Sequence, residues 1–355
     1  MAPTFLESQE NDAVKIDAGK IAIVRLGSIG DVINTLPLLN RLRAGFPKSH
    51  ITWVVEEKSA SILEGHPALD ALMIFPRKHP LLWASFVQRL RAMQYELVLE
   101  CSRILKSGFI ALLSGAPYRV GFNRARCKEW NWIFTNNQIP PHDRPGVMLE
   151  QYLEFADYLE LPKVPVSWDI HLDQSHREKI ASFVGSGRSE AITLNLGASK
   201  REKLWPEDYF VSLITRLKSH WKGPILLTGG VMEQDRAHRV ARATGVQDMS
   251  GQLSVKELAS LFERSAIVVS CDTGPLHLAV AMGAFVVGLY GPSDPLRTGP
   301  YGQANWVVMG SGGPQCRSCR RWCGDPYTPC MKNIVPDVVF DKIEKRLAGH
   351  SSWLP

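Results

Sequence analysis

Residues 265–284 read Ser-Ala-Ile-Val-Val-Ser-Cys-Asp-Thr-Gly-Pro-Leu-His-Leu-Ala-Val-Ala-Met-Gly-Ala, and their types and spacing suit the binding of a charged ligand. The apolar run Ala266 to Val269 predicts a strand buried on both faces, and Leu276 to Met282 predicts a helix. Between them Asp272 and Thr273 can cap the helix, Gly274 admits a close backbone approach, and Pro275 suits a first helical position. Such a turn presents unpaired backbone N–H groups at a helix N-terminus, where phosphate binds, while the Asp272 carboxylate can accept bonds from sugar hydroxyls. His277 sits over the same opening. Taken alone, the turn reads equally as a capped helix with a packed histidine.

Three other loops carry complementary groups. Lys200, Arg201 and Lys203 lie in the polar stretch Asn195 to Pro206, Glu233 and Asp235 follow Gly229-Gly230, and Asp31 closes Leu26-Gly-Ser-Ile-Gly-Asp31. Each follows a predicted strand, so each belongs at the C-terminal edge of a parallel sheet, where ligands bind in open α/β folds. Cations and helix N-termini attract a diphosphate, and an acid beside a Gly-Gly turn suits ribose hydroxyls. Together they describe a nucleotide-sugar site. Asp31 is a candidate base at that edge, with a helix N-cap as its other reading. Its turn has only Gly27 and Gly30, short of the three-glycine dinucleotide fingerprint, and no phosphate-loop pattern occurs.

The elements that must position these residues alternate between strand and helix. Lys20 to Arg25, Ile51 to Val55, Ala71 to Phe75 and Glu96 to Leu99 predict strands, each followed by a helical pattern. Pro140-Pro141, a helix from Met148 to Leu159, then Pro162 and Pro165 close the first half. Ala191 to Leu194, Pro224 to Leu227, the Asp272 strand and Phe285 to Leu289 restart the pattern. The fold class is therefore α/β, with two parallel-sheet domains across a cleft. The predicted boundaries are a flexible tail at 1–19, a first domain at 20–165, a second at 166–335 and a last helix within 336–355.

A chain of 355 residues with 45% hydrophobic and 21% charged residues fits an ordinary globular protein of two domains. Residues 1–19 lack a signal-peptide pattern and no apolar run reaches a membrane span, so a cytoplasmic location is expected. The net charge of +6 is unevenly placed: Arg103, Lys106, Arg119, Arg124, Arg126 and Lys128 fall within 101–128 with no acid among them. That suits an anionic substrate or membrane surface, or is simply a solvated face. Nucleic acid is not expected, because no aromatic-interleaved basic module accompanies the charge. Cys316, Cys319, Cys323 and Cys330 have a spacing that could hold a structural metal, or could be reduced thiols in a loop.

Four stretches, Arg25 to Pro37, Lys203-Leu-Trp-Pro206, Asp272-Thr-Gly-Pro-Leu-His277 and Tyr290-Gly-Pro-Ser-Asp-Pro295, together resemble the lipopolysaccharide heptosyltransferases of glycosyltransferase family 9, which use ADP-heptose. The resemblance runs from residue 20 to about 335. It implies a GT-B architecture, with acceptor on the first domain, sugar nucleotide on the second and the last helix crossing back. It implies inverting transfer, with Asp31 as general base, Lys203, Thr273 and Gly274 on the donor phosphates, and Asp272 with His277 by the donor sugar. Glu233, or else Asp235, would meet the ribose, and Arg119, Arg124 and Arg126 would meet an anionic lipid A–Kdo acceptor at the inner membrane surface. No Asp-x-Asp metal motif occurs, so no divalent metal cofactor is expected. The alternatives are a relative using another sugar or acceptor, or a non-catalytic nucleotide-sugar-binding protein on the same fold.

Overall fold

The computed structural model describes residues 16–127, 129–141, 146–185, 190–311, 327–350 and 352. The first sheet contains β1 (Lys20–Val24), β2 (His50–Glu56), β3 (Ala71–Phe75), β4 (Leu97–Glu100), β5 (Tyr118–Phe122) and β6 (Asn137–Ile139), in the order β3-β2-β1-β4-β5-β6. The second contains β7 (Ala191–Asn195), β8 (Ile225–Thr228), β9 (Gln247–Asp248), β10 (Ser265–Cys271), β11 (Phe285–Tyr290) and β12 (Val307–Met309), in the order β12-β11-β10-β7-β8-β9. All pairings are parallel. Each sheet reverses its winding direction between its first and fourth strands, the switch point at which open α/β sheets hold their ligands.

The short strands are apolar because both of their faces are covered. In β1, Ile21 and Ile23 enter one core while Ala22 and Val24 enter another, the period of two splitting the strand between two helical layers. The helices Ile29–Gly45 and Met148–Tyr158 pack together on the first face; Trp83–Ala92 and Leu105–Leu113 cover the other. The first face also receives the second domain. The helix Gly274–Ala281 packs on Ile29–Gly45, and one continuous core joins Ile33 and Leu36 to Leu276, Ala279 and Val286.

Two expectations need correction. Residues 16–19 are not a flexible tail: Ile16 and Ala18 are buried, and the Gly19 carbonyl accepts from the His50 N–H at 2.8 Å; residues 1–15 lie outside the described residues. The last helix, Pro336–Leu347, does not cross back to the first domain. Its apolar stripe Val339, Phe340, Ile343 and Leu347 enters the second domain's core beside the helix Glu207–His220, because that stripe matches the face the second sheet leaves uncovered. The first helix begins at Ile29, near Asp31, and holds Pro37 inside it. Cys316, Cys319, Cys323 and Lys128 lie outside the described residues, whereas Cys330 is buried beside Met331. Among the described residues no helix is long and apolar enough to cross a membrane.

Candidate active site

The two switch points face each other across a cleft of about 540 Å³, to which β1, β7 and β10 each contribute the loop that follows them. Of the helices that begin on this cavity, two come together, one from each domain, at Ile29 and at Gly274. They approach so closely that a Cβ on Gly274 would stand 2.8 Å from Cγ2 of Ile29, and one on Gly30 would stand 3.2 Å from Cα of Gly274. Glycine at both positions lets two positive helix ends converge on one volume, an arrangement suited to a multiply charged anion.

Asp31 stands on the first-domain wall. It is not an N-cap, since Ser28 holds that position and its hydroxyl donates to Asp31 Oδ2 at 3.2 Å. The Tyr152 phenol donates to Oδ1 at 3.2 Å, and the Arg25 guanidinium forms an ion pair with Oδ2. Arg25 is itself buried, bonded to the Cys101 carbonyl at 3.1 Å. A third of the Asp31 side chain, 33%, stays open to the cleft. Burial pushes its pKa upward, but Arg25, Ser28, His277 and Tyr152 outweigh that and hold it below the usual carboxylate range. The result is an ionised, oriented carboxylate that can accept a proton.

On the opposite wall, Lys203 Nζ lies 2.5 Å from Asp272 Oδ2 and 3.3 Å from the Asp272 carbonyl. Asp272 is only 5% exposed. Thr273 is the N-cap, with no side-chain cap bond, so neither residue is spent on capping. Behind them His277 is buried; burial lowers its pKa more than Asp272 and Asp31 raise it, which keeps the ring neutral. Together a cation, a carboxylate and a helix N-terminus can bind a diphosphate and a hydroxylated sugar at the point where Asp31 faces them.

The family model for Glycosyltransferase family 9 (heptosyltransferase) matches residues 83–323, more than half of the chain. The chain belongs to glycosyltransferase family 9. Lipopolysaccharide heptosyltransferase 1 of Pseudomonas aeruginosa is 30% identical over 311 residues, covering 84% of this chain and 86% of that protein. Lipopolysaccharide core heptosyltransferase OpsX of Haemophilus influenzae is 25% identical over 296 residues, covering 81% and 83%. The solved structure of E. coli heptosyltransferase WaaC with ADP superposes with a TM-score of 0.75 at 24% identity, covering 92% of this chain and 99% of that one. The fold is thus GT-B, and the protein is a glycosyltransferase.

Not every expected residue of this glycosyltransferase reaches the cleft. Glu233 curls back so that Oε2 accepts from the Gly230 N–H at 2.8 Å, close to Gly197 of the loop after β7, while Asp235 is exposed in the next helical turn. Arg119 must be reassigned. It is the second residue of β5, so it sits at the sheet edge away from the cleft, and its guanidinium donates to the carbonyls of Phe134 at 2.9 Å and Ala116 at 2.5 Å. Arg126 is paired with Glu154 and lies over the Phe122 ring; the compensating acid comes from the helix Met148–Tyr158. Arg124 is exposed over Trp132. The residues the sequence reading passed over are Arg25, Tyr152, Lys58 and Arg297. Lys58 and Arg297 line the cleft and follow β2 and the Tyr290 to Pro295 stretch, so the rule that ligands gather at strand C-termini would have found both.

Proposed function

We propose that this glycosyltransferase moves heptose from ADP-heptose to the inner core of lipopolysaccharide, onto Kdo or the first heptose, with inversion at the anomeric carbon. The observation that carries this reading is the placement of Asp31 on one wall of a single cleft and of Lys203, Asp272 and the Gly274 helix N-terminus on the other. The names of the relatives support heptose as the sugar and lipopolysaccharide as the acceptor class, and the similar solved structure that holds ADP supports the nucleotide. The acceptor hydroxyl oxygen attacks the anomeric carbon as Asp31 takes its proton; the bond from that carbon to the phosphate oxygen breaks, and ADP departs with its pair of electrons. Lys203, released from Asp272 by the incoming diphosphate, and the helix N-terminus neutralise the departing charge. His277 and Asp272 lie beside the donor sugar and Thr273 and Gly274 beside the phosphates, and the ribose extends past the cleft lining toward the loop after β8, where Glu233, turned from the Gly230 N–H, or else Asp235 meets it. No divalent cation is needed in this scheme, and the acceptor reaches the enzyme at the cytoplasmic membrane surface.

The test is incubation with ADP-heptose and a panel of truncated lipid A–Kdo acceptors, read by mass spectrometry, with and without EDTA. A mass increase of one heptose on a Kdo-terminated acceptor, unchanged by EDTA, is expected. ADP binding by titration without transfer to any acceptor would make the chain a binding protein. Loss of turnover in EDTA with restoration by magnesium would overturn the metal-free scheme.

A further inference from the structure

The outer layer of the first domain has an apolar surface against which none of the described residues packs. The helix Leu105–Leu113 is apolar on both sides. Ile110 and Ala111 cover the sheet, while Leu105, Phe109 and Leu112, spaced as one helical stripe, are 40–47% exposed. On one side, the helix Trp83–Ala92 packs against it, and Arg91 Nε donates to the Leu113 carbonyl at 3.1 Å. On the other side lies the turn Trp130–Phe134, with the Phe109 and Phe134 rings 5.9 Å apart. Both neighbours extend the apolar surface: Leu81 is 94% exposed and Trp130 74%, with Leu82, Trp83 and Ile133 also exposed. Eight bulky apolar side chains, two of them tryptophans, thus share one layer, far more than a monomer's solvated face needs to carry.

The rim of this surface is mostly basic, with one acid inside it: exposed Glu129, whose carboxylate accepts from the Leu105 N–H at 2.5 Å. Between Pro76 and Tyr95 the sequence has Arg77, Lys78, Arg89 and Arg91 and no acid, and all four are exposed. Arg124 adds a fifth cation beside Trp132. Exposed leucine, phenylalanine and tryptophan within a rim of lysine and arginine is the composition that lies in the headgroup region of an anionic bilayer. A second copy of the chain is a poorer occupant, because a self-complementary interface would set this basic rim against itself.

The layer also has the right position. Trp83 and Leu105 begin their helices just after β3 and β4, at the edge that opens on the cleft, and Phe75 joins them, its ring 5.4 Å from Trp83 and 5.7 Å from Lys106 Nζ. We infer that this layer is the enzyme's membrane-docking surface. It seats Leu81, Leu82, Trp83, Leu105, Phe109 and Leu112 among anionic lipids, so that the cleft mouth meets a lipid-anchored acceptor. The inference rests on the lipopolysaccharide reading for its purpose, though not for the surface itself.

The test is flotation of the full chain with vesicles of phosphatidylcholine alone or mixed with phosphatidylglycerol. Binding to the anionic vesicles is expected, weakening as salt is raised because headgroup attraction is screened. Leu81→Gln/Leu105→Gln/Leu112→Gln should lower vesicle affinity by at least roughly tenfold, as loss of several inserted side chains requires, with transfer to a soluble, delipidated acceptor unchanged. Lys78→Gln/Arg89→Gln should remove the preference for anionic vesicles. All five positions are exposed, so circular dichroism of both variants should match the parent. Wild-type protein that ignores anionic vesicles, or a triple variant that binds as well as wild type, overturns the inference; so does a dimer in sedimentation that the triple variant dissociates. Vesicle binding without transfer to any acceptor leaves the surface standing and removes the heptosyl-transfer reading, whereas transfer without vesicle binding does the reverse.

Discussion

Lys203 and Asp272 lie 2.5 Å apart, joining the loop after β7 to the loop after β10 at the sheet's switch point. In the proposed reaction both meet the donor, so the ion pair is a closed arrangement that a diphosphate would open by taking the ammonium. Asp272 is nearly buried, and removing its partner leaves a carboxylate without compensation. Lys203→Met should therefore cost about 1–3 kcal/mol of stability and weaken ADP binding. Adding Asp272→Asn should recover most of the stability, because the uncompensated charge is gone, and none of the affinity. Thermal denaturation and titration with ADP on the two variants check this. Equal instability in both would assign the cost to packing rather than to charge.

Asp31 is held by Arg25, Ser28 and Tyr152 while remaining open to the cleft. Asp31→Asn keeps the same shape and should lower turnover by roughly two to four orders of magnitude, the usual worth of general-base catalysis, with ADP affinity unaltered. Because its pKa is lowered, the carboxylate stays ionised down to below about pH 4. The base is thus lost only as pH falls through that depressed value, and the acid limb of kcat/KM should lie there. Arg25→Lys loosens the pairing and should move that limb upward. An acid limb already near neutrality in the wild type would remove Asp31 from the role of base.

His277 gives a second pH dependence, one of stability. Its folded pKa is lowered, burial being the largest cause, while in the unfolded chain it titrates near about 6.5. The stability this contributes is complete above that unfolded value and is lost as pH falls toward the folded one. His66, buried and bonded to the Trp168 carbonyl at 3.0 Å, is lowered for the same first reason. Melting temperature should therefore fall between about pH 7 and pH 5, less steeply in His277→Asn and least in the double variant with His66→Asn. Identical slopes in all three proteins would contradict the assignment.

The sheets and the cleft wall that carries Lys203 and Asp272 could be read from the sequence for a common reason. Parallel strands buried on both faces are short apolar runs, and the loops after them must carry the polar chemistry, which is how Asp31, Lys203, Asp272 and His277 stand out. The first-domain side was less legible because its electrostatics are not local. The stretch 101–128 looks uncompensated until the fold brings Glu154 to Arg126, and the Tyr152 phenol reaches Asp31 from a helix on the far side of the first sheet's sequence. Arg119 and Arg124 are equally basic and close in sequence. Yet one is the second residue of β5 and the other follows the strand, which puts them at opposite edges of the sheet. The last helix misled for a related reason: its apolar stripe shows that it packs, and only the topology shows on what.

The convergence of the two helix N-termini can be tested through glycine. An alanine at the start of a helix normally stabilises it relative to glycine, by about 0.5–1 kcal/mol in the interior and less at the end. At position 274 the added Cβ would instead meet Cγ2 of Ile29 at 2.8 Å and the Gly30 nitrogen at 3.3 Å. Overpacking of this kind costs roughly 1–3 kcal/mol, so the steric cost should exceed the gain in propensity. Gly274→Ala should therefore melt lower than wild type and bind ADP more weakly, since the Gly274 helix moves away from the Ile29 helix at the proposed diphosphate site. Removing the opposing methyl with Ile29→Ala should return part of the ADP affinity to the Gly274→Ala protein. If Gly274→Ala alone raised the melting temperature and left ADP affinity intact, the close approach of the two helices would have no part in forming the site.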